Sequence, residues 1–186
     1  KTAEILVFLI GAMTIVEIVD YFNGFSVFQK IINFKTKKAI LWVFSGLAFI
    51  LSAIIDNLTA TIVLISILQK VVSDKNLRIW YAALIVIAAN AGGAWSPIGD
   101  VTTTMLWIGD KVSTPMLIQY LLIPSIACAV AATGIASLLP AFKGEIKLNP
   151  VKDEGNKYSF RMLALGLGSI VCVPVFKIIT HLPPYV

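Results

Sequence analysis

"AANAGGAWSPIGDVTTTMLW", residues 88–107, places an amide, an aspartate, two tandem glycines, a proline and three consecutive threonines inside one of the most apolar regions of the chain. Proline removes a backbone N–H and clashes with the preceding turn, and glycine weakens helix continuity. Gly92, Gly93, Pro97 and Gly99 are therefore expected to break a helix here. What such a break means depends on the solvent around it.

That solvent is hydrocarbon. Of 186 residues, 58% are hydrophobic and 13% charged, with a mean hydropathy of +0.89. A soluble domain carries about 45–50% apolar and about 25% charged residues. Several apolar runs approach the ~20 residues that cross a ~30 Å hydrocarbon core. The chain reads as an all-α, polytopic, multi-pass membrane protein with the lipid bilayer as its partner, expected in a bacterial inner (plasma) membrane. The net charge of +5 sits in clusters that punctuate apolar spans, which argues for topology and against nucleic-acid binding. Cys128 and Cys172 are far apart in apolar segments and read as small buried hydrophobes. No nucleophile–base–acid set and no metal-ligand motif appears, so neither an enzyme nor a cofactor is expected.

Outward from the opening stretch, the segments fall as follows. Residues 1–22 read as a transmembrane helix, and 23–38 as an interfacial amphipathic helix with a basic loop, from the spacing of Phe25, Phe28, Ile31 and Ile32. Residues 39–72 carry a polar tip at 56–61, and 79–108 form the broken helix. Residues 115–140 are a further transmembrane helix, 141–161 a lysine-rich loop and 162–180 the last span. This order puts the basic stretches 30–38, 70–78 and 141–161 on one face, which the positive-inside rule makes cytoplasmic. Lys111 and the end "HLPPYV" then lie outside.

Two full spans or a re-entrant hairpin over 39–72 give the same sidedness. Length favours the hairpin, because an arm from Thr59 to Val72 covers only ~21 Å. Irregular backbone at that depth is tolerated where it is buried in protein or lines a watery cavity.

A broken membrane helix frees backbone carbonyls and amides, and transporters bind substrates and coupling ions at such gaps. Asp100 adds a carboxylate there, while Asn90, Ser96, Thr102, Thr103 and Thr104 add neutral oxygens, a set suited to a hard cation such as Na⁺. The same carboxylate can take a proton. Alternatively, the glycines pack helices and the threonines satisfy backbone carbonyls. "SAIIDNLTAT" supplies Ser52, Asp56, Asn57, Thr59 and Thr61. Aspartate in an apolar region costs ~2.5–3.5 kcal/mol on insertion scales and marks an ion path. In an extramembrane turn, Asp56 and Asn57 would instead be a helix cap. Glu17 and Asp20 sit three apart on one helical face, either as a proton path or as a solvated helix end.

"GAMTIVEIVD", "LSAIIDNLTATIV" and above all "AANAGGAWSPIGDVTTTMLW" closely resemble the NhaD-type sodium/proton antiporters, of the superfamily that also holds arsenite permeases and divalent-anion/sodium symporters. The resemblance runs from about Ile5 to Pro140. It implies half of an inverted-repeat transporter: one re-entrant hairpin and one broken helix meeting at the midplane, the second core repeat being a partner outside this chain. It also implies an ion site lined by Asp56, Asn57, Thr59, Asn90, Ser96 and Asp100, with Thr102 and Thr103 beside it, and Na⁺ held at Asp56, Asn57 and Asp100. The function implied is secondary transport, Na⁺ or Li⁺ against H⁺. A dicarboxylate or arsenite permease on the same scaffold is the first alternative, opposed by two carboxylates at the site. A non-transporting membrane scaffold is the second, and whether Asp56 and Asp100 come together discriminates it. A homodimer is left open.

Overall fold

The computed structural model describes residues 2–28, 34–146, 148 and 158–180. Among them are seven α-helices and no strand: α1 Thr2–Tyr21, α2 Lys37–Ser52, α3 Asn57–Val71, α4 Lys75–Ala94, α5 Val101–Ile108, α6 Thr114–Ser137 and α7 Ser159–Thr180. Three stretches are long and apolar enough to cross a membrane: Lys75–Ala94, Thr114–Ser137 and Ser159–Phe176. The chain is an all-α membrane protein, as its composition requires.

Local chemistry sets the helix starts. Thr36 accepts from the Ala39 amide (3.3 Å), Asp74 from the Asn76 and Leu77 amides (2.9 and 3.2 Å), and Ser113 from the Met116 amide (3.4 Å). Each satisfies a donor that a helix N-terminus leaves without an intrahelical partner. The cap at Asp74 moves the start of α4 four residues ahead of the expected 79. Similarly, α7 begins at Ser159 rather than 162, and α6 ends at Ser137, three residues short of Pro140.

The largest difference lies in the break. Gly92 and Gly93 do not interrupt the helix: α4 runs through both to Ala94, and the irregular stretch is Trp95–Asp100, with Pro97 and Gly99 inside it. The two glycines are there for space, as the site geometry makes plain.

On α2, Leu41, Phe44, Ser45, Ala48, Leu51 and Ser52 recur at spacings of three and four and are buried. That face packs on α4, which also contacts α3 and α6. Tyr81 of α4 ties the ends together. Its ring contacts Phe44 and Phe142, and its hydroxyl donates to the Lys37 carbonyl (2.8 Å). The Lys37 and Ile146 amides donate to the Gly144 and Lys35 carbonyls (3.2 and 2.9 Å), so the start of α2 and the chain beyond α6 meet at one end of the bundle.

A second pairing joins α1 to α7. Val19 packs against Gly24 and Gly166, and the Ser159 hydroxyl donates to the Phe22 carbonyl (2.9 Å). Phe25, expected on the lipid face of an interfacial helix, is 3% exposed and stacks on Phe28. Its ring is core, because the turn at Gly24–Ser26 folds it inward. Ile31 and Ile32 of that segment lie outside the described residues, as do Lys30, Lys147, Lys152, Lys157 and residues 181–186.

Candidate ion site

Two helix discontinuities cross at one place. The chain turns between α2 and α3 through Ala53–Asp56, and that turn lies against the Trp95–Asp100 break. Van der Waals space allows this only where side chains are missing. A Cβ on Gly92 would collide with the Phe49 carbonyl and one on Gly93 with the Gly99 carbonyl, while one on Gly99 would come within 2.6 Å of the Ser52 carbonyl oxygen. Backbone is pressed on backbone from both sides.

Hydrogen bonds then fix the register. The Ser52 hydroxyl donates to the Ala89 carbonyl (2.5 Å), and the Ser96 hydroxyl to the Ala53 carbonyl (2.5 Å). Ala53 ends α2, so its carbonyl has no helical partner, and Ser96 supplies one. The Asn57 amide donates to the Gly99 carbonyl (3.0 Å). Both serines are buried. Ser96, expected to line an ion, has its hydroxyl committed to holding the tip.

The side chains converge on Asn57. Its Nδ2 donates to Asp100 Oδ2 (2.8 Å) and to Asn90 Oδ1 (3.0 Å), joining α3, α4 and the start of α5. Asp56 caps α3, accepting from the Thr59 amide through Oδ1 (2.8 Å). Asp100 caps α5, accepting through Oδ1 from the Thr102 amide (2.8 Å) and from the Thr102 hydroxyl. The Thr104 hydroxyl donates to the Asp100 carbonyl (2.9 Å). Asp56 is thus a helix cap, and its chain neighbour Asn57 holds the cluster; capping and a place beside an ion path do not exclude each other. Thr59 and Thr61, expected in the polar tip, lie in the first turns of α3. Thr103 stands half-buried beside Thr102.

The electrostatics follow from the helix ends. Two helix N-termini, of α3 and α5, bring partial positive charge of about half a unit each, and each is met by an aspartate. Two helix C-termini, of α2 and α4, bring outward carbonyls to the same crossing. Asp100 uses both oxygens on three donors. Asp56 uses Oδ1 alone, and no hydrogen bond reaches its Oδ2 among the described residues.

The Asp56 backbone is also out of the ordinary, with φ 110° and ψ 152°. That region belongs essentially to glycine, and another residue held in such a region costs about 1–3 kcal/mol. Asn90 and Thr102 are exposed.

Glu17 and Asp20 stand apart from this cluster. Glu17 is exposed, and Asp20 lines a separate cavity between the end of α1 and α3. The sequence missed the backbone carbonyls of Ala53 and Gly99 and the bridging role of Asn57. No local pattern announces a contact between residues 43 apart.

The chain matches the citrate transporter family, CitMHS, over residues 2–185. It is 45% identical to sodium/proton antiporter 1 of Arabidopsis thaliana over 190 residues, which cover 100% of this chain and 33% of that protein. It is 40% identical to sodium/proton antiporter 2 of the same plant, over 100% of this chain and 45% of that protein. With the Na⁺/H⁺ antiporter NhaD of Vibrio parahaemolyticus it shares 34% identity, over 99% of this chain and 45% of the relative. The chain thus spans a third to under half the length of these three relatives, which carry the names of transporters rather than of enzymes. No solved structure matches it.

Proposed function

The chain belongs to the citrate transporter family, and from that membership we propose that the protein carrying it exchanges Na⁺, with Li⁺ as a second cargo, for H⁺ across a membrane. One observation carries the choice of cargo. Both helix N-termini at the crossing are already met by the chain's own carboxylates, Asp56 on α3 and Asp100 on α5, and Asn57, next to Asp56 in the chain, donates to Asp100. An anion would need those N-termini free; a cation needs the carboxylates. The dicarboxylate reading that the family's name invites is therefore second. The names of the relatives, sodium/proton antiporters, support the first. A scaffold would have no use for a strained aspartate inside an apolar bundle.

Depth supports a re-entrant hairpin. At 1.5 Å per residue α2 and α3 reach ~24 and ~22 Å, less than the ~30 Å core. Past the tip the chain still has all of α5 to run. We place the basic ends of α2, α3 and α4 in the cytoplasm and Lys111 outside, in a bacterial plasma membrane; α1 is a further span. The exposed side of Asn90 and Thr102 is where the second core repeat would complete the ion's shell.

The exchange needs one place and two occupants. Sodium takes oxygens of Asp56, Asn57 and Asp100, with Thr59, Asn90, Thr102 and Thr103 around them, and Ser96 holding the tip in register. The free Oδ2 of Asp56 is where ion and proton compete. We place Asp20, with Glu17 one turn deeper on α1, on the route to that pair rather than in it.

Everted vesicles of the complete protein, loaded with protons, test this. Adding Na⁺ should release protons, with an apparent Na⁺ affinity that weakens as pH falls, because protons then hold the shared oxygens. Asp56→Asn and Asp100→Asn should each reduce exchange to background while insertion stays normal. Wild-type rates in both variants would refute the shared site.

A further inference from the structure

A cavity of about 260 Å³ lies between the end of α1 and the face of α3, lined by Asp20, Asn23, Ser26, Ile62, Ser66 and Lys70 among others. Its walls differ. The α1 side ends in a turn in which the Asn23 amide donates to the Asp20 carbonyl (2.7 Å) and the Ser26 amide to the Asn23 carbonyl (3.1 Å), so a carboxylate, an amide and a hydroxyl are held close together. The α3 side belongs to a helix that starts at the ion site. Thr59, Val63, Ser66 and Lys70 recur at spacings of three and four, which puts them on one stripe of α3, the helix that Asp56 caps. Along that helix Ser66 stands ~15 Å from Asp56, and Lys70 a further ~6 Å.

We propose that this cavity is the cytoplasmic vestibule of the ion site, through which a monovalent cation passes from the Asp20 carboxylate, by way of Ser66 and Thr59, to Asp56. The inference rests on the exchange reading above and deepens it. The carboxylate does there what a charged wall does in any narrow mouth: it raises the local concentration of the cation before the ion sheds its water. The Asn23 and Ser26 side chains and the Ser66 hydroxyl, itself donating to the Ile62 carbonyl (2.8 Å), offer neutral oxygens for the next step. Lys70 lines the same cavity, so the charge at this mouth is set by Asp20 and Lys70 together. Asp20 is accordingly a positioning residue: it delivers the ion and does not hold it during exchange.

Everted vesicles expose the cytoplasmic face, so the assay above reads this mouth directly. In the complete protein made cysteine-free, Ser66→Cys should react with a membrane-impermeant cationic thiol reagent in everted vesicles and not in right-side-out ones. Asp20→Asn should raise the KM for Na⁺ several-fold with maximal rate unchanged, the opposite of the loss expected at Asp56. Labelling of Ser66→Cys from the outside alone, or Asp20→Asn kinetics equal to wild type in vesicles that exchange sodium, would overturn the vestibule. Wild-type vesicles that move no protons on sodium addition would instead refute the exchange reading, and the labelling would still decide the vestibule.

Discussion

The crossing of the two helix breaks and the pairing of α1 with α7 are both close approaches made possible by glycine, but they differ in what the glycine meets. At the crossing, Gly92, Gly93 and Gly99 face carbonyls of Phe49, Gly99 and Ser52, which cannot rotate away. Between α1 and α7, Gly166 faces side chain only, above all a methyl of Val19. The first contact is fixed by main chain and closed by hydrogen bonds from Ser52, Ser96 and Asn57. The second is adjustable packing with one hydrogen bond from Ser159. The crossing that carries the two capping aspartates, Asp56 and Asp100, is of the rigid kind.

The sharpest way to break this contrast is Gly92→Ala. Overpacking a core costs about 1–3 kcal/mol when side chains can yield. Here a carbonyl must move, so the loss should exceed about 3 kcal/mol. It should appear as aggregation or a much lower Tm of the purified complete protein in detergent. Gly11→Ala and Gly134→Ala have open space at the added methyl and should change little. A Gly92→Ala protein as stable as those two would remove the rigid crossing.

Much of the crossing was legible in advance for a physical reason. Asp56, Asn57, Asp100 and Pro97 are costly in hydrocarbon, so their presence in apolar runs marks both discontinuities. The break itself lies a few residues later than the glycines suggest, because Gly92 answers to the proximity of Phe49 and Gly93 to that of Gly99, which no local pattern encodes. Phe25 misled for the same reason: its periodicity fits an interfacial helix, yet a turn folds it into the core. The α1–α7 pairing was not legible at all, since Ser159 and Phe22 are 137 residues apart and Val19 looks like any lipid-facing valine. Nor was the cavity, although the stripe through Thr59, Ser66 and Lys70 was present in the spacing.

A smaller effect of opposite sign should come from the tip. Asp56 holds a backbone conformation that suits glycine. Asp56→Gly relieves about 1–3 kcal/mol of strain and loses only a few tenths from the cap. The variant should therefore melt at a higher temperature than wild type and carry out no exchange. A lower Tm would mean that the carboxylate contributes more to the crossing than its geometry indicates.

The smallest effect belongs to the adjustable contact. A methyl at Gly166 meets Val19 Cγ2, which is buried and, being β-branched, stiff at χ1. Gly166→Ala should cost about 1–2 kcal/mol, within the range for overpacking. Unlike a carbonyl, the obstruction can be removed. Val19→Ala alone leaves a cavity and costs about 1–2 kcal/mol. The pair together should cost less than the sum of the two, since the alanine methyl at 166 occupies space that Val19 gives up. A double-mutant cycle on Tm reads that coupling directly. Strict additivity would mean that Gly166 and Val19 do not limit the approach of α1 to α7, and the distinction between a main-chain crossing and a side-chain contact would lose its second half.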